Sequence, residues 1–212
     1  MEISWLGQSC FQIKGEKVTI VTDPFDPSIG LKLPKKLEAN IVTVSHNHFD
    51  HNNIKAVSGN PFVIDGPGEY EVAGINIYGI KSFHDEQNGA LRGPNTIYLI
   101  EAEDLKICHL GDLGHLLPDE TVEELEDVDI LMVPCGGIYT IDAEAAQKVI
   151  NQIDPRIIIP MHYKIEGLNI NLDPLDKFCH ELGICKKPQD KLVIKKSRLP
   201  AEESEVIILN KK

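Results

Sequence analysis

Long hydrophobic runs are missing from this sequence. Residues 1–5 show no basic segment followed by an apolar one, which a secretory signal peptide requires. The longest uncharged apolar stretch, residues 130–141, is interrupted by a proline and two glycines. It is also shorter than the roughly 20 residues that cross a bilayer. We therefore expect no membrane partner and a cytoplasmic location.

Paired cysteines are missing as well. The chain has an odd number of them, widely scattered and without a Cys-x-x-Cys pair: Cys10, Cys108, Cys135, Cys179 and Cys185. A secreted disulfide scaffold is normally even and clustered. The pattern favours a reducing compartment.

Basic residues are in the minority, with 21 Lys and Arg against 33 Asp and Glu and a formal net charge of −12. This balance argues against a broad basic surface for nucleic acid or anionic lipid, although a small basic patch is compatible with it. The 212 residues, 42% of them hydrophobic, contain no linker-like or low-complexity segment. We expect a single domain over residues 1–212.

Metal-binding side chains are concentrated in one short stretch. His46, His48, Asp50 and His51 lie within six positions, directly after the β-branched segment Ile41–Val44. That segment is typical of a buried strand. Imidazole nitrogen and carboxylate oxygen are the donors that a borderline divalent cation such as Zn²⁺ takes. The stretch therefore predicts a metal site at the end of a strand.

Three further ligand candidates also follow predicted strands. His84 follows residues 75–80, Asp112 follows residues 105–110 and His162 follows residues 157–159. Loops at one end of a sheet converge, and ligands of α/β proteins bind at the carboxyl ends of strands. We expect these residues to meet the histidine cluster in space.

The remaining pattern alternates strands with three helices. Helices are predicted from about 119 to 126, with Thr121 and Glu124 in capping-box spacing, from 142 to 153 and from 174 to 182. A tight turn is predicted at Gly66–Tyr70. Apolar residues Val206–Leu209 are predicted either to complete a sheet or to form an interface in a homo-oligomer.

The order His46-x-His48-x-Asp50-His51, His84, Asp112 and His162 resembles the ligand series of the metallo-β-lactamase superfamily. Finer motifs are similar to the branch of Zn-dependent hydrolases that includes ascorbate-6-phosphate lactonase. They are Trp5-Leu6-Gly7-Gln8-Ser9, Thr22-Asp23-Pro24, His109-Leu110-Gly111-Asp112 and Pro160-Met161-His162-Tyr163. The resemblance covers about residues 1 to 165.

This resemblance implies an α/β (α+β) fold, a four-layer αββα sandwich of two mixed β-sheets flanked by helices. It also implies two divalent ions, most readily Zn²⁺, although Mn²⁺ and Fe²⁺ suit the same donors. By position, the first metal takes His46, His48 and His84, the second takes Asp50, His51 and His162, and Asp112 bridges both. Asp50 and Asp112 are then the catalytic carboxylates, with Asp50 bonding the nucleophile or shuttling its proton.

Three positions depart from relatives within the superfamily. Gln8 stands where many members have a histidine, so any role of that histidine is in question here. Asp112 replaces the cysteine of antibiotic-degrading lactamases, which argues against β-lactam hydrolysis. His48 replaces the glutamate of flavodiiron-type redox members, which argues against oxygen reduction. A basic arm like that of tRNA-processing members is also missing.

Several residues have two interpretations. Asp23 is either a turn residue or a carboxylate that orients one ligand histidine. Arg92 is either a solvated loop residue or a contact for an anionic substrate group. Tyr163, beside a ligand, is a candidate to line the cleft, and His115 either lines it or caps a helix. His109, inside a strand, is expected to be a core histidine.

Three functions are compatible with these features. The favoured one is a metal-dependent hydrolase that uses a metal-bridging hydroxide on a small-molecule ester, lactone, amide or phosphodiester. The second is a nuclease or phosphodiesterase acting on nucleic acid, which the acidic charge disfavours. The third is a metal-binding protein without hydrolytic turnover.

Overall fold

The computed structural model describes residues 1–184 and 186–212, so Cys185 lies outside the described residues. Thirteen strands form two sheets in this part of the chain. The first sheet has the spatial order β12 (Leu192–Val193), β1 (Glu2–Gly7), β2 (Cys10–Lys14), β3 (Thr19–Thr22), β4 (Ile41–Thr43) and β5 (Phe62–Ile64). The second has the order β13 (Glu205–Val206), β11 (Ile157–Met161), β10 (Ile130–Pro134), β9 (Leu105–His109), β8 (Pro94–Ala102), β7 (Ile75–Phe83) and β6 (Gly68–Val72).

Both sheets are mixed. In the first, β12, β1, β2 and β3 pair antiparallel, and β3, β4 and β5 pair parallel. In the second, β13, β11, β10 and β9 pair parallel, and β9 to β6 pair antiparallel. Inward-facing residues of the two sheets, such as Trp5 and Ile97, share one buried apolar cluster. The prediction of a sandwich of two mixed sheets is confirmed.

Helices cover the outer face of the second sheet. Helix α2 (Ala143–Ile153) begins after Asp142, whose carboxylate accepts the backbone N–H of Ala145 as an N-cap. Its apolar side packs on the sheet, and α3 (Leu175–Leu182) packs beside it and ends at Gly183. The outer face of the first sheet is covered differently, by loops and two single-turn 3₁₀ helices at Pro27–Ile29 and Ile54–Ala56.

Two local predictions were wrong. Helix α1 spans only Asp119–Glu124, and its N-cap is Pro118, which makes no side-chain cap; Thr121 is instead buried inside the helix. The predicted turn at residues 66–70 is partly strand, because β6 pairs with β7 along the edge of the second sheet.

The apolar tail segment completes a sheet. Within Val206–Leu209 only Val206 belongs to a strand, β13, which pairs with β11. Among the described residues, no helix is both long enough and apolar enough to cross a membrane.

Candidate metal centre

Tight backbone turns shape the histidine cluster after β4. The N–H of His51 and that of Asn52 both donate to the carbonyl of His48, at 2.9 and 3.1 Å. The chain therefore forms a tight turn from His48 to Asn52. His46, Asp50 and His51 are buried, and His48 is exposed. The other three ligand candidates follow strands β7, β9 and β11.

The structure brings all seven predicted ligands together, in two groups. The first ligand group is His46, His48 and His84, and the second ligand group is Asp50, His51, Asp112 and His162. Within each group, one donor atom per residue lies within 4.8 Å of all the others. For six residues this division agrees with the one that the family resemblance implies; Asp112, implied as a bridge, falls in the second ligand group.

Asp112 lies at the centre of both groups. Its Oδ2 is 3.1 Å from Nε2 of His51, 3.2 Å from Nε2 of His84 and 3.2 Å from Nε2 of His162. It is also 3.9 Å from Nε2 of His46. One carboxylate oxygen thus faces four imidazole nitrogens, two from each group, which is the position of a bridging ligand.

Two of these nitrogens face Asp112 but lack a hydrogen bond of good geometry. Nε2 of His46 and Nε2 of His51 are buried and make no hydrogen bond to any described residue. Unpaired polar atoms in a protein interior are costly, and each one needs a specific explanation. A divalent cation supplies it, since neutral imidazole and carboxylate are its preferred ligands. The residues present therefore fit a metal pair.

Asp23 fixes the tautomer of His51. The Asp23 Oδ2 atom is 2.9 Å from Nδ1 of His51, and the carboxylate also accepts the backbone N–H and the hydroxyl of Ser45. An ionised carboxylate only accepts, so Nδ1 of His51 carries the proton and Nε2 is left to a metal. Of the two interpretations of Asp23, the geometry favours the orienting carboxylate.

Ser45 extends the same network to His46. Its only hydroxyl proton goes to Asp23 at 2.6 Å, so the 3.0 Å contact with His46 is a hydrogen bond donated by Nδ1 of the imidazole. His46 therefore also presents an unprotonated Nε2. Nothing in the sequence pattern indicates this role for Ser45 except its place next to His46.

Gln8 is the principal residue that sequence reasoning left without a role. Its side chain is 1% exposed, and its Nε2 lies 3.1 Å from Oδ2 of Asp50 and 3.0 Å from Nε2 of His162. Its carbonyl accepts the indole N–H of Trp5, which holds the residue at a φ of 54°. In sequence, Gln8 is noticeable because many family members have a histidine there. The structure adds that its side-chain amide contacts two members of the second ligand group.

Two other residues near Asp112 were missed. The hydroxyl of Ser9 donates to Oδ1 of Asp112 at 3.3 Å, and Oδ1 of Asn95 accepts the Asp112 backbone N–H at 2.9 Å. Both are buried. Neither stands in a pattern that identifies it from sequence, because each acts on a residue distant along the chain.

The charges of the cluster depend on its mixture of acids and imidazoles. Burial works to lower the pKa of His51, but three carboxylates, led by Asp112, raise it well above its ordinary value. Burial works to raise the pKa of Asp112, but His162 and His51 lower it well below its ordinary value. Burial, aided by His51, lowers the pKa of His46 to about 3. Without a metal, the neighbouring carboxylates thus favour the charged form of His51, whereas burial favours the neutral form of His46.

Two glycines allow the ligand-bearing backbones to approach. A Cβ atom at Gly114 would collide with the backbone of His84, and one at Gly136 would collide with the carbonyl of His162. Any side chain at either position would push a ligand strand away. Both glycines therefore permit close backbone approach.

A cavity of about 550 Å³ opens over the ligands. It is lined by His48, Phe49, Asp50, His84, Leu91, Arg92, Asp112, Tyr139, His162, Asn169, Ile170 and Asn171. This volume is in the usual range for small-molecule sites. Arg92 thus lines the cavity, as its interpretation as a contact for an anionic substrate group requires.

Tyr163 is not brought there. It is 4% exposed and packs against Trp5, with ring centroids 4.9 Å apart, and burial raises the pKa of its hydroxyl. The prediction of a substrate contact at Tyr163 is corrected to a role in the core, because the chain turns its side chain inward directly after the ligand His162.

Two other histidines, His109 and His115, have structural partners. His109 is fully buried, with Nε2 at 2.8 Å from the carbonyl of Ser9 and Nδ1 accepting the N–H of Gly111. It is the core histidine that its strand position predicted. His115 accepts the N–H of Phe83 and contacts the carbonyl of Leu116, so it ties the loop after Asp112 to the end of β7.

Comparison with known proteins gives a consistent picture. Residues 2–162 match the family model of the beta-lactamase superfamily domain. A UPF0173 metal-dependent hydrolase from Thermoplasma acidophilum is 31% identical over 199 residues, which cover 82% of this chain and 88% of that protein.

Solved structures agree in fold. A structure from Thermotoga maritima, described as a Zn-dependent hydrolase of the metallo-beta-lactamase superfamily, is 40% identical, with a TM-score of 0.78 over 98% of this chain and 97% of that one. An isothiocyanate hydrolase from Delia radicum gut bacteria shares the fold alone, at 17% identity and a TM-score of 0.70 over 92% of this chain and 99% of that one. The resemblance to the branch of ascorbate-6-phosphate lactonase stays a prediction. The chain belongs to the metallo-β-lactamase superfamily, among its metal-dependent hydrolases.

Proposed function

We propose that this protein uses two divalent ions, Zn²⁺ in the first instance, to hydrolyse a small-molecule ester, lactone, amide or phosphodiester. The observation that carries the proposal is the position of Asp112, whose Oδ2 lies 3.1 to 3.9 Å from four imidazole nitrogens. A carboxylate shared by two groups of ligands is suited to hold two ions close together.

Metal ions bound here would lower the pKa of water and polarise the attacked carbonyl or phosphoryl oxygen. The protein supplies the rest by orientation. Asp23 and Ser45 keep His51 and His46 in the tautomer that leaves Nε2 unprotonated. Gln8 donates to Asp50, whose carboxylate lines the cavity and is the group placed to take a proton from the attacking water.

The size and lining of the cavity support a small molecule. Arg92 is the sole Lys or Arg among the described residues that line it. A nucleic-acid backbone presents a charge on every phosphate and is held by several cations. A role as a nuclease therefore has little support from the lining, and a role as a metal-binding protein without turnover is the alternative to be tested.

Metal content is the first test. Protein purified without chelator should contain close to two divalent ions per chain by elemental analysis, and a screen of lactones, esters and phosphodiesters should show hydrolysis that a chelator removes. Recovery of no bound metal would refute the site. Two ions without hydrolysis in any class would favour metal binding without turnover.

A further inference from the structure

Arg92 is an uncompensated cation beside the metal ligands. Its guanidinium makes no ion pair with any described residue, and the bond from its Nη2 goes to a neutral group, the carbonyl of Ile138, at 3.0 Å. The guanidinium also lies 5.6 Å from the ring centroid of Tyr139, within the range of a cation–π contact. In a chain of net charge −12, an arginine without an ion pair is available to an anion from outside.

The loop that carries Arg92 is held in place by Asp85. The buried Asp85 carboxylate accepts four backbone N–H groups from the loop, at 2.8 to 3.0 Å, and one of them belongs to Arg92 itself. Four such bonds fix the loop and occupy the carboxylate. Arg92 is therefore positioned before any ligand binds, which lowers the entropic cost of recognition.

The anion must lie on the metal side of Arg92. On its other side is a second cavity of about 450 Å³ that shares Arg92 and Tyr139 with the first. That cavity is acidic: its lining includes Glu86, Asp142 and Glu144, with Lys148 paired to Glu144 at 2.8 Å. In the metal-side cavity the two acids are Asp50 and Asp112, both in the second ligand group. Like-charge repulsion thus disfavours an anion in the second cavity.

The metal-side cavity also has an apolar surface. Phe49, Leu91 and Tyr139 are 57%, 65% and 40% exposed, and Ile170 lines the same space. Large apolar side chains grouped around a cavity mouth commonly mark a binding surface. A substrate that covers them gains the free energy of removing their surface from water.

From these observations we propose that the substrate is a small amphipathic anion. Its carboxylate or phosphate binds Arg92, its apolar body covers Phe49 and Leu91, and the bond to be cleaved lies over the ligand groups. This inference rests on the proposed hydrolytic function and adds the class of substrate.

The test compares two esters that differ in one charge. Para-nitrophenyl octanoate is neutral, and the para-nitrophenyl monoester of octanedioic acid carries a carboxylate at the far end of the same chain. The Zn²⁺-loaded protein should have a kcat/KM about 10- to 100-fold higher for the anionic ester, the effect of a charge-assisted hydrogen bond. Arg92→Gln should bring the ratio of the two values close to one, and Arg92→Lys should restore part of it.

Arg156→Gln is the matched control. Arg156 is an exposed arginine whose Nη1 faces the carbonyl of Ala201, away from the cavity, so this variant should keep the wild-type ratio. An equal preference in wild type and Arg92→Gln would overturn the inference. Hydrolysis of both esters at equal rates by wild type would do the same while leaving the proposed function in place.

Binding supplies a readout that does not depend on turnover. Calorimetric titration with octanoate and with octyl phosphate should show affinity that Arg92→Gln lowers and Arg156→Gln does not, and the anion with the larger loss is the preferred one. Such Arg92-dependent binding in metal-loaded protein that hydrolyses no ester, lactone, amide or phosphodiester would support the ligand class and contradict the proposed function. Binding unaffected by Arg92→Gln would contradict the substrate class.

Discussion

The two ligand groups differ in how the protein surrounds them. All four residues of the second ligand group are buried, and Gln8, Asp23 and Ser9 bond directly to its members. In the first ligand group His48 is exposed. Among the described residues, the one hydrogen bond to a ring nitrogen of this group joins Ser45 to Nδ1 of His46. Members of both groups line the cavity, but the second ligand group has more hydrogen-bond partners from the surrounding fold than the first. We expect the second to keep its metal more tightly.

Removing the shared carboxylate should have the largest effect. In Asp112→Ala, four imidazole nitrogens lose their common partner, so both ions should be lost and activity should fall by more than the ~100-fold that a lost outer-shell partner costs. Elemental analysis and the rate of hydrolysis measure this. Asp129→Asn is the control, since Asp129 is a buried carboxylate paired with Lys196 outside the site. Two retained ions in Asp112→Ala would show that Asp112 does not bridge.

Truncating the exposed ligand should separate the groups. His48→Ala leaves the second ligand group complete, so the variant should retain about one ion per chain while hydrolysis is abolished. The neighbouring exposed residue gives the control Asn47→Ala, which should keep both ions. Loss of both ions from His48→Ala would mean that the groups are not independent, and full activity would remove His48 from the mechanism.

Gln8→Leu should have a smaller effect that is confined to the second ligand group. The change keeps the volume of the side chain and removes its bond to Asp50. We expect both ions to remain and kcat to fall by about 10-fold, at the lower end of the cost of losing an outer-shell partner. Gln12→Leu, on strand β2, is the control. An unchanged kcat in Gln8→Leu would show that Asp50 needs no such orientation.

The pH dependence of stability should be the smallest of these effects. It should also distinguish the two ligand groups. In the metal-free protein the pKa of His51 is raised, so its contribution to stability is complete below the ordinary value of about 6.5 and is lost as pH rises through the raised pKa. The pKa of Asp112 is lowered, so its contribution is lost as pH falls through that pKa.

The melting temperature of metal-free protein should therefore decline above about pH 6.5 more steeply than that of metal-loaded protein. Metal binding to the second ligand group should also release a proton from His51, whereas His46, with a pKa of about 3, has none to release near neutral pH. Titrations in buffers of different ionisation enthalpy measure the release. Equal proton release for both ions would contradict the distinction between the groups.

The sequence was sufficient to predict the sandwich and the grouping of the candidate ligands because both depend on regular patterns. His84, Asp112 and His162 follow buried β-branched strands, and strand ends converge whatever the details of the loops. Asp23 was placed correctly beside a strand end, but its partner His51 is 28 positions away and is reached only through the parallel pairing of β3 with β4.

Other features depend on contacts that no local pattern reports. Tyr163 looked suited to the cleft because it adjoins a ligand, yet Trp5 covers it. Gln8 and Asn95 act through hydrogen bonds to Asp50 and Asp112, across 42 and 17 positions of sequence. Such pairs depend on which strands of one sheet come together and how the loops after them fold, which composition and spacing do not determine.

The crowding at Gly114 and Gly136 has a consequence for how this sequence can vary. Neither residue contributes a donor atom, yet each new side chain there would collide with the backbone beside His84 or His162. In a library of all single substitutions, selection for function should deplete substitutions at these two glycines as strongly as substitutions at the ligand histidines. Even the single methyl group of alanine at either position would require the backbone that carries a candidate ligand to move.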